Sequence, residues 1–512
     1  MPPSLPAGNG VYDRAFIFEM AGPTLDFLHA RREALPNIRR FMDQGAWGRL
    51  HSPLQPGSPQ SFATLLTGMN PGATGLFDTF SFVAGGYDRV PSDARSLRQA
   101  CLHEILSEHG NQVGLLNVPL TAPLRPVNGF VVSGDEGVGE EFAYPAEVRD
   151  ALAADGYVVP FGASYAAGRE REFADHALDV LAMRRRAALK LFGDGRWQFG
   201  MLTLHLYGEL LHAFWKFYDE RHPDYRPAAE VFDGRDPLLE ALQAVDDLLG
   251  ELVALAGPRG LVIFMGAWGH RLVHSKVHLN AVLARSGDLC FARDARTQLK
   301  RMMFRLGVTS ASAERLAHRL NLWKLFHYKL ARGQRAKVTG AAFLSYRDID
   351  WSRTRAVAMG SQGQVYLNVR GQRPHGVIPP ERAGVERERL GRLLSDLRDP
   401  RNGEPVVERV LTREEIYRGE EVTHAPDLIV TWRAGYAGDG GLSGAGKVVA
   451  AAPPNLSSDH WNESAFLALG SDVAPGRLTA ALEDVAPTVL HALGVPIPAG
   501  LDGHVLPLWA RT

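Results

Sequence analysis

Apolar residues in this chain fall in short unbroken runs, separated by longer stretches with one apolar face. The runs Ala15–Phe18, Val113–Val118, Phe130–Ser133, Phe199–Leu206, Leu261–Met265, Val365–Val369, Leu428–Thr431 and Ala465–Leu469 read as strands. The stretches Asn37–Gln44, Leu97–Glu108, Glu172–Phe192 and Leu238–Leu255 repeat their apolar positions at helical spacing. Strands that are apolar throughout are buried on both faces. Alternation of such strands with helices predicts an α/β fold, with a mostly parallel sheet sandwiched by helices. Ligands in such folds sit beyond the carboxyl ends of the strands. Glu19–Gly22, Tyr207–Gly208 and Gly266–Gly269 lie there. One α/β domain is expected over 11–512. An Arg- and Leu-rich helical insertion, or cap, is expected within it at 281–345.

Composition narrows the function without choosing it. The 512 residues are 45% hydrophobic and 22% charged, as in ordinary globular proteins, and the formal net charge is -1. Such a balance lacks the basic footprint of a nucleic-acid binder. No apolar run is long enough to span a bilayer. No secretory leader is visible at Met1, so a cytoplasmic location is expected. Cys101 and Cys290 are isolated and show no metal spacing. The expected partner is a small molecule; oligomeric state is not legible.

The chemically suggestive stretch follows the first strand. Ser58 stands directly before Pro59 and a helical run. The pattern predicts a helix with Ser58 at the cap and Pro59 at the first position. A hydroxyl there faces free backbone N–H groups and the positive end of the helix dipole, a setting suited to an anionic ester.

Several motifs in order carry a resemblance. They are Thr67-Gly-Met-Asn-Pro-Gly72, Asn117-Val-Pro119 with Asn128-Gly129, and Val365-Tyr-Leu-Asn-Val-Arg-Gly371. Ala425-Pro-Asp-Leu-Ile429, Glu483-Asp-Val-Ala-Pro-Thr488 and Leu501-Asp-Gly503 complete the set. With them the chain resembles the alkaline phosphatase superfamily, in its type I phosphodiesterase/nucleotide pyrophosphatase branch, over nearly its whole length. The resemblance implies a two-metal phosphoryl-transfer site, usually with zinc-like ions, and a covalent Thr or Ser nucleophile.

Carried over position by position, the resemblance places the nucleophile on Ser58. It places two conserved imidazoles on His212 and His460. The remaining ligand positions fall on Ala21, Gly208, Ala267 and Trp268, none of which can supply the family's ligand atoms. Loss of about three carboxylates along with two dications leaves charge nearly balanced. The expectation is therefore metal-independent chemistry on a phosphate- or sulfate-ester type substrate, with no metal ligands assigned. Ser58, His212 and His460 are expected to be catalytic. Glu19, Asn70, Trp268 and Asp459 are expected to bind substrate, with Asp459 able to orient the His460 ring.

Two alternatives remain. One is a catalytically inactive pseudoenzyme that binds a ligand or partner. The other is a conventional metal-dependent phosphodiesterase with substitute ligands; Glu19, Glu209 and Asp459 are the carboxylates nearby. The spacing His270-x3-His274-x3-His278 also suggests a metal face. The preferred reading is that these three follow the site in a loop and strand and satisfy polar surface. Ser58 as a plain cap, His212 as a buried imidazole satisfied by a carbonyl, and Trp268 as core filling stand beside the functional readings.

Overall fold

The computed structural model describes residues 11–509, apart from 83–85, 136–138, 310–311, 313–341, 361 and 443–445. The first strand, Arg14–Glu19, lies near the middle of a nine-stranded sheet. It pairs in parallel with Phe199–Thr203 on one side and Gly260–Met265 on the other. Val113–Val118 and Gly129–Ser133 extend the parallel set outward. Glu463–Leu469 runs antiparallel against Gly260–Met265 and carries Ala46–His51 and Gly476–Ala481 beyond it. The short strand Ala143–Tyr144 closes the far edge, antiparallel. The expected mostly parallel sheet is present.

Successive side chains of the first strand point to opposite faces, and both faces are dry. Phe16 and Phe18 enter a core beneath the helices Pro36–Gln44, Glu170–Phe192, Leu206–Phe214 and Pro237–Ala256. Ala15 and Ile17 enter a second core beneath Ser58–Thr67, Leu102–Glu108 and Val485–Ala492. Burial on both faces explains why this segment reads as one apolar run.

Two expected strands belong elsewhere. Val365 and Leu428 sit in a separate antiparallel sheet of four strands, ordered Ala356–Met359, Gln364–Leu367, Leu428–Trp432, Val407–Thr412. That sheet has its own apolar core with the helices Leu279–Ser286 and Ala383–Ser395. The long strand Gly269–His278 links it to the site. It pairs with Gly435–Asp439, Val449–Ala451 and Ser458–Trp461. Where the helical insertion is expected, at 281–345, the described residues hold the helices Leu279–Ser286 and Ala295–Arg305; 313–341 lies outside the described residues. Among the described residues no helix is long and apolar enough to cross a membrane.

Gly22 ends the first strand in a turn with φ +127°. A β-carbon there would stand 2.5 Å from Leu211 Cδ1. Glycine thus permits both the turn and the close approach of the helix that carries His212.

Phe18 is fully buried and meets Phe264 edge to face at 5.5 Å. Phe18→Ala is expected to cost about 3–5 kcal/mol, read from the shift in a urea unfolding curve. A cost under about 1 kcal/mol would contradict a central, doubly covered first strand.

Candidate functional site

The chain leaves strand Ala46–His51 and enters the helix Ser58–Thr67. Gly57, not Ser58, is the cap. Its backbone is extended (φ −166°, ψ 167°), and its carbonyl takes the first helical bond, from Ser61 N–H at 3.0 Å. Ser58 is the first helical residue and Pro59 the second, one step on from the sequence expectation. The shift has a chemical consequence. Gly57 has no side chain to cap with, and the Ser58 hydroxyl, one step inside the helix, makes no hydrogen bond to it. It stays in the first turn, near the positive end of the dipole.

Ser58 lines a pocket of about 360 Å³ together with Asn117, Arg184, His205 and Glu209. Arg184 is 3% exposed. Its Nη2 donates to Val159 O at 2.5 Å, while its Nη1 has no hydrogen-bond partner. The guanidinium lies 4.4 Å from the centre of the Tyr157 ring, and no carboxylate forms an ion pair with it among the described residues. Burial lowers its pKa from the ordinary arginine value. A buried guanidinium without a counter-charge is costly unless an anion joins it.

His205 lies behind this pocket. It sits at the end of the loop from strand Phe199–Thr203, and its ring is 5.5 Å from Phe62, one turn along the Ser58 helix. About a third of its side chain faces out, but Nε2 is buried and unpaired. That nitrogen is 4.0 Å from Glu19 Oε2, which is also unpaired. Glu19 Oε1 accepts from the Ala267 N–H at 2.9 Å. Burial pushes the Glu19 carboxyl up to about 8 and the His205 imidazole down to about 4. At neutral pH Glu19 therefore holds its proton and His205 is a free base.

Three more imidazoles meet alongside. His212 comes from helix Leu206–Phe214, His270 from the strand Gly269–His278, and His460 from the strand Ser458–Trp461. His270 and His460 are directly opposite cross-strand partners. Ring centres are 4.4 Å apart for His212 and His270, 5.2 Å for His212 and His460, and 5.3 Å for His270 and His460. One ring nitrogen of each lies within 4.8 Å of the other two. Burial drives His270 well below its ordinary pKa and His460 to about 4. Ser58 belongs to the same neighbourhood, because His460 Nδ1 is 3.1 Å from the carbonyl of Pro56, two residues before it.

The other expected contacts change role. Glu19 is fully buried, with its Oε2 4.0 Å from His205 Nε2, and has no exposed atom facing the pocket. Trp268 is 4% exposed; its ring packs 4.8 Å from His460 and 5.4 Å from His205, so it is a wall and not an open stacking platform. Asn70 is a structural tie. Its Oδ1 accepts from Gly72 N–H and Arg418 N–H, and its Nδ2 donates to Arg418 O and Asp502 Oδ2. No polar atom of that side chain is left for substrate.

Asp459 does not orient the His460 ring. It accepts from the His460 backbone N–H at 2.9 Å and from Lys276 Nζ at 3.0 Å. Burial opposes its charge, but Lys276 and the nearby imidazoles outweigh burial and hold the carboxyl well below its usual range.

Sequence reading missed His205, Arg184 and the role of His270. His270 is 1% exposed and so does not satisfy polar surface as expected. His274 and His278 do lie apart from the site, on Ser275 and Asp439 respectively. No local motif marks His270. Its signal is the pairing with His460, which exists only in the folded sheet.

The sheet order, the serine at a helix start and the imidazoles past the strand ends define an α/β protein of the alkaline phosphatase type. Residues 17–448 match the Type I phosphodiesterase / nucleotide pyrophosphatase family, and the chain belongs to it. Among solved structures it is similar to phosphonoacetate hydrolase from Sinorhizobium meliloti 1021, in complexes with phosphonoformate and with phosphonoacetate. Each shows a TM-score of 0.59 and 17% identity, over 95% of this chain and 98% of that one. No curated protein matches significantly in sequence.

The superfamily implies two metal ions, and the two positions differ in fit. Around Ser58, Ala21, Ala267 and Trp268 offer no ligand atom, and this position does not fit an ion. At the other, Gly208 has lost the carboxylate, but three imidazoles converge. The donor set there suits a zinc-like ion.

Asn70→Ala is expected to lower stability by about 1–3 kcal/mol, through orphaned backbone groups of Gly72 and Arg418. It should leave KM for any substrate within twofold. A large KM effect in a stably folded variant would return Asn70 to the binding site.

Proposed function

We propose that this protein hydrolyses a small phosphate- or sulfate-ester type anion, with Ser58 as the attacking group and His205 as its base. The carrying observation is the pocket itself. It holds a serine hydroxyl free of capping, an imidazole kept neutral by burial and a guanidinium with an unpaired N–H. The family's name points to phosphate diesters and pyrophosphates, and that of the solved relative to a small phosphonate.

In this reading Arg184, which lines the pocket, receives the anionic group of the substrate through its guanidinium. Ser58 Oγ attacks the phosphorus or sulfur centre. His205 takes the hydroxyl proton, and the leaving oxygen departs with a proton returned from the imidazolium. Water then attacks the seryl ester, giving its proton to His205, and Ser58 is regenerated. We assign the base to His205 and not to His212 or His460. The latter two direct Nδ1 at backbone carbonyls and point their remaining nitrogens at one another, whereas His205 shares the Ser58 pocket. A cation on the three clustered imidazoles would add Lewis acidity at the ester oxygen.

A second reading is ligand capture without turnover, favoured by the loss of metal ligands at Ala21, Gly208, Ala267 and Trp268. The two readings separate on chromogenic phosphate monoesters, phosphate diesters and sulfate esters. Ser58→Ala is expected to lower kcat by about 10³-fold or more while leaving binding nearly unchanged. His205→Gln is expected to cost about 10²–10⁴-fold in kcat. Arg184→Gln is expected to raise KM roughly 10–100-fold, the worth of a charged hydrogen bond. Turnover that survives Ser58→Ala would remove Ser58 as nucleophile. No product from the unmodified chain on any ester would leave capture as the function.

The pH dependence follows from two shifts of opposite sign. The His205 pKa is depressed to about 4, so its base form persists until pH falls to that value. The Glu19 pKa is raised to about 8, so its charge appears only above that pH. A kcat/KM profile flat from about pH 4 to 8, falling on the acid side near 4, is expected. An acid limb near 6.5 in that profile would show that the base is an unperturbed imidazole elsewhere.

A further inference from the structure

The geometry points to a single-ion site built from His212, His270 and His460, in which His270 replaces the carboxylate missing at Gly208. This inference rests on the functional reading above only in sharing its neighbourhood. Metal-free chemistry was the sequence expectation, because two conserved imidazoles alone make a poor site. The third changes that count, since three protein ligands with one open position is the usual arrangement of catalytic zinc.

The hydrogen bonds assign the tautomers. The Ser458 hydroxyl donates its single proton to Leu211 O at 2.8 Å. Toward His270 Nδ1, at 2.9 Å, it is therefore the acceptor, so His270 carries its proton on Nδ1. His212 Nδ1 lies 2.7 Å from the Ser458 carbonyl, and His460 Nδ1 lies 3.1 Å from the Pro56 carbonyl. A carbonyl only accepts, so His212 Nδ1 donates. His460 Nδ1 has two neighbours, the Pro56 carbonyl at 3.1 Å and the Gln362 amide nitrogen at 3.4 Å; that amide already donates to Pro56 O at 2.6 Å, and the nearer carbonyl takes the ring proton. All three rings thus present a bare Nε2 lone pair, each oriented by a partner on its far nitrogen. That is the second shell typical of metal-binding histidine. His270 Nε2 is buried and has no hydrogen-bond partner, an atom that the fold leaves costly unless something binds it.

The replacement is also spatial. A β-carbon built on Gly208 would stand 3.5 Å from His270 Nε2. His270 thus brings its nitrogen, from the neighbouring strand, into the space a side chain at position 208 would enter. Ser458 holds the arrangement, since its hydroxyl and carbonyl orient two of the three rings while tying down the end of the His212 helix.

The test is metal content and spectroscopy on the full chain. After incubation with zinc and desalting, elemental mass spectrometry is expected to find one zinc per chain. Cobalt(II) is expected to give the visible absorption of a low-coordinate nitrogen site. Ser458→Ala is expected to weaken zinc binding roughly 10–100-fold, and His270→Ala by more. Gly208→Asp combined with His270→Ala is expected to regain binding, because a carboxylate then returns to the vacated space. Circular dichroism and melting temperature report whether each variant folds.

No retained zinc in the unmodified chain, or zinc retained equally by folded His270→Ala, would overturn the site. Failure of the folded double variant to regain zinc would overturn the replacement of position 208. Zinc binding without hydrolysis of any ester would keep the site and sink the functional reading. Hydrolysis by an unmodified chain that retains no zinc after incubation would do the reverse.

Discussion

Desolvation beyond the carboxyl ends of the central strands sets the charge of nearly every group in the site. Glu19, His205, His270 and His460 are all pushed toward their neutral forms by burial, while Asp459 keeps its charge beside Lys276. The neutral imidazole of His205 adds no charge to the pocket, where Arg184 supplies the positive group for an anion. Burial also keeps lone pairs available that would otherwise carry protons.

That desolvation follows from how the sheet is covered. The first strand is buried on both faces, so Glu19 at its end emerges into packed structure and not into water. The Ser58 helix belongs to one face of the sheet and the His212 helix to the other. The two meet only past the strand ends, where the strand pair carrying His270 and His460 crosses between them. Each functional side chain thus comes from a separate, rigid element. The pocket is formed by their arrangement and not by one loop.

The family relationship and the departures from it have one physical explanation. Carboxylate ligands in a buried site require cations close by, because unpaired buried charge is costly. With Ala21 and Ala267 at the positions around Ser58, no carboxylate is left there to need a cation, and Trp268 can fill space there without penalty. The imidazole cluster tolerates either state, since neutral rings are stable when buried and remain competent ligands.

Composition and pattern determined the layers of this protein. Unbroken apolar runs read as buried strands without revealing which sheet they join, and a serine before a proline and an apolar helical run reads as a helix start. Motif order then identified the family, and marked Ser58, His212 and His460 as candidates. The sequence also showed which ligands were missing, because a lost carboxylate is visible as a residue type. It did not show what took their place. Gly57, with its extended backbone, caps the Ser58 helix in place of Ser58. Asn70 is consumed by Arg418 and Asp502, hundreds of residues away. His270 reaches His212 only because its strand pairs with the one bearing His460. Local signals report what a residue is bonded to along the chain. The partners that decide charge, tautomer and ligation here are brought together only by tertiary packing.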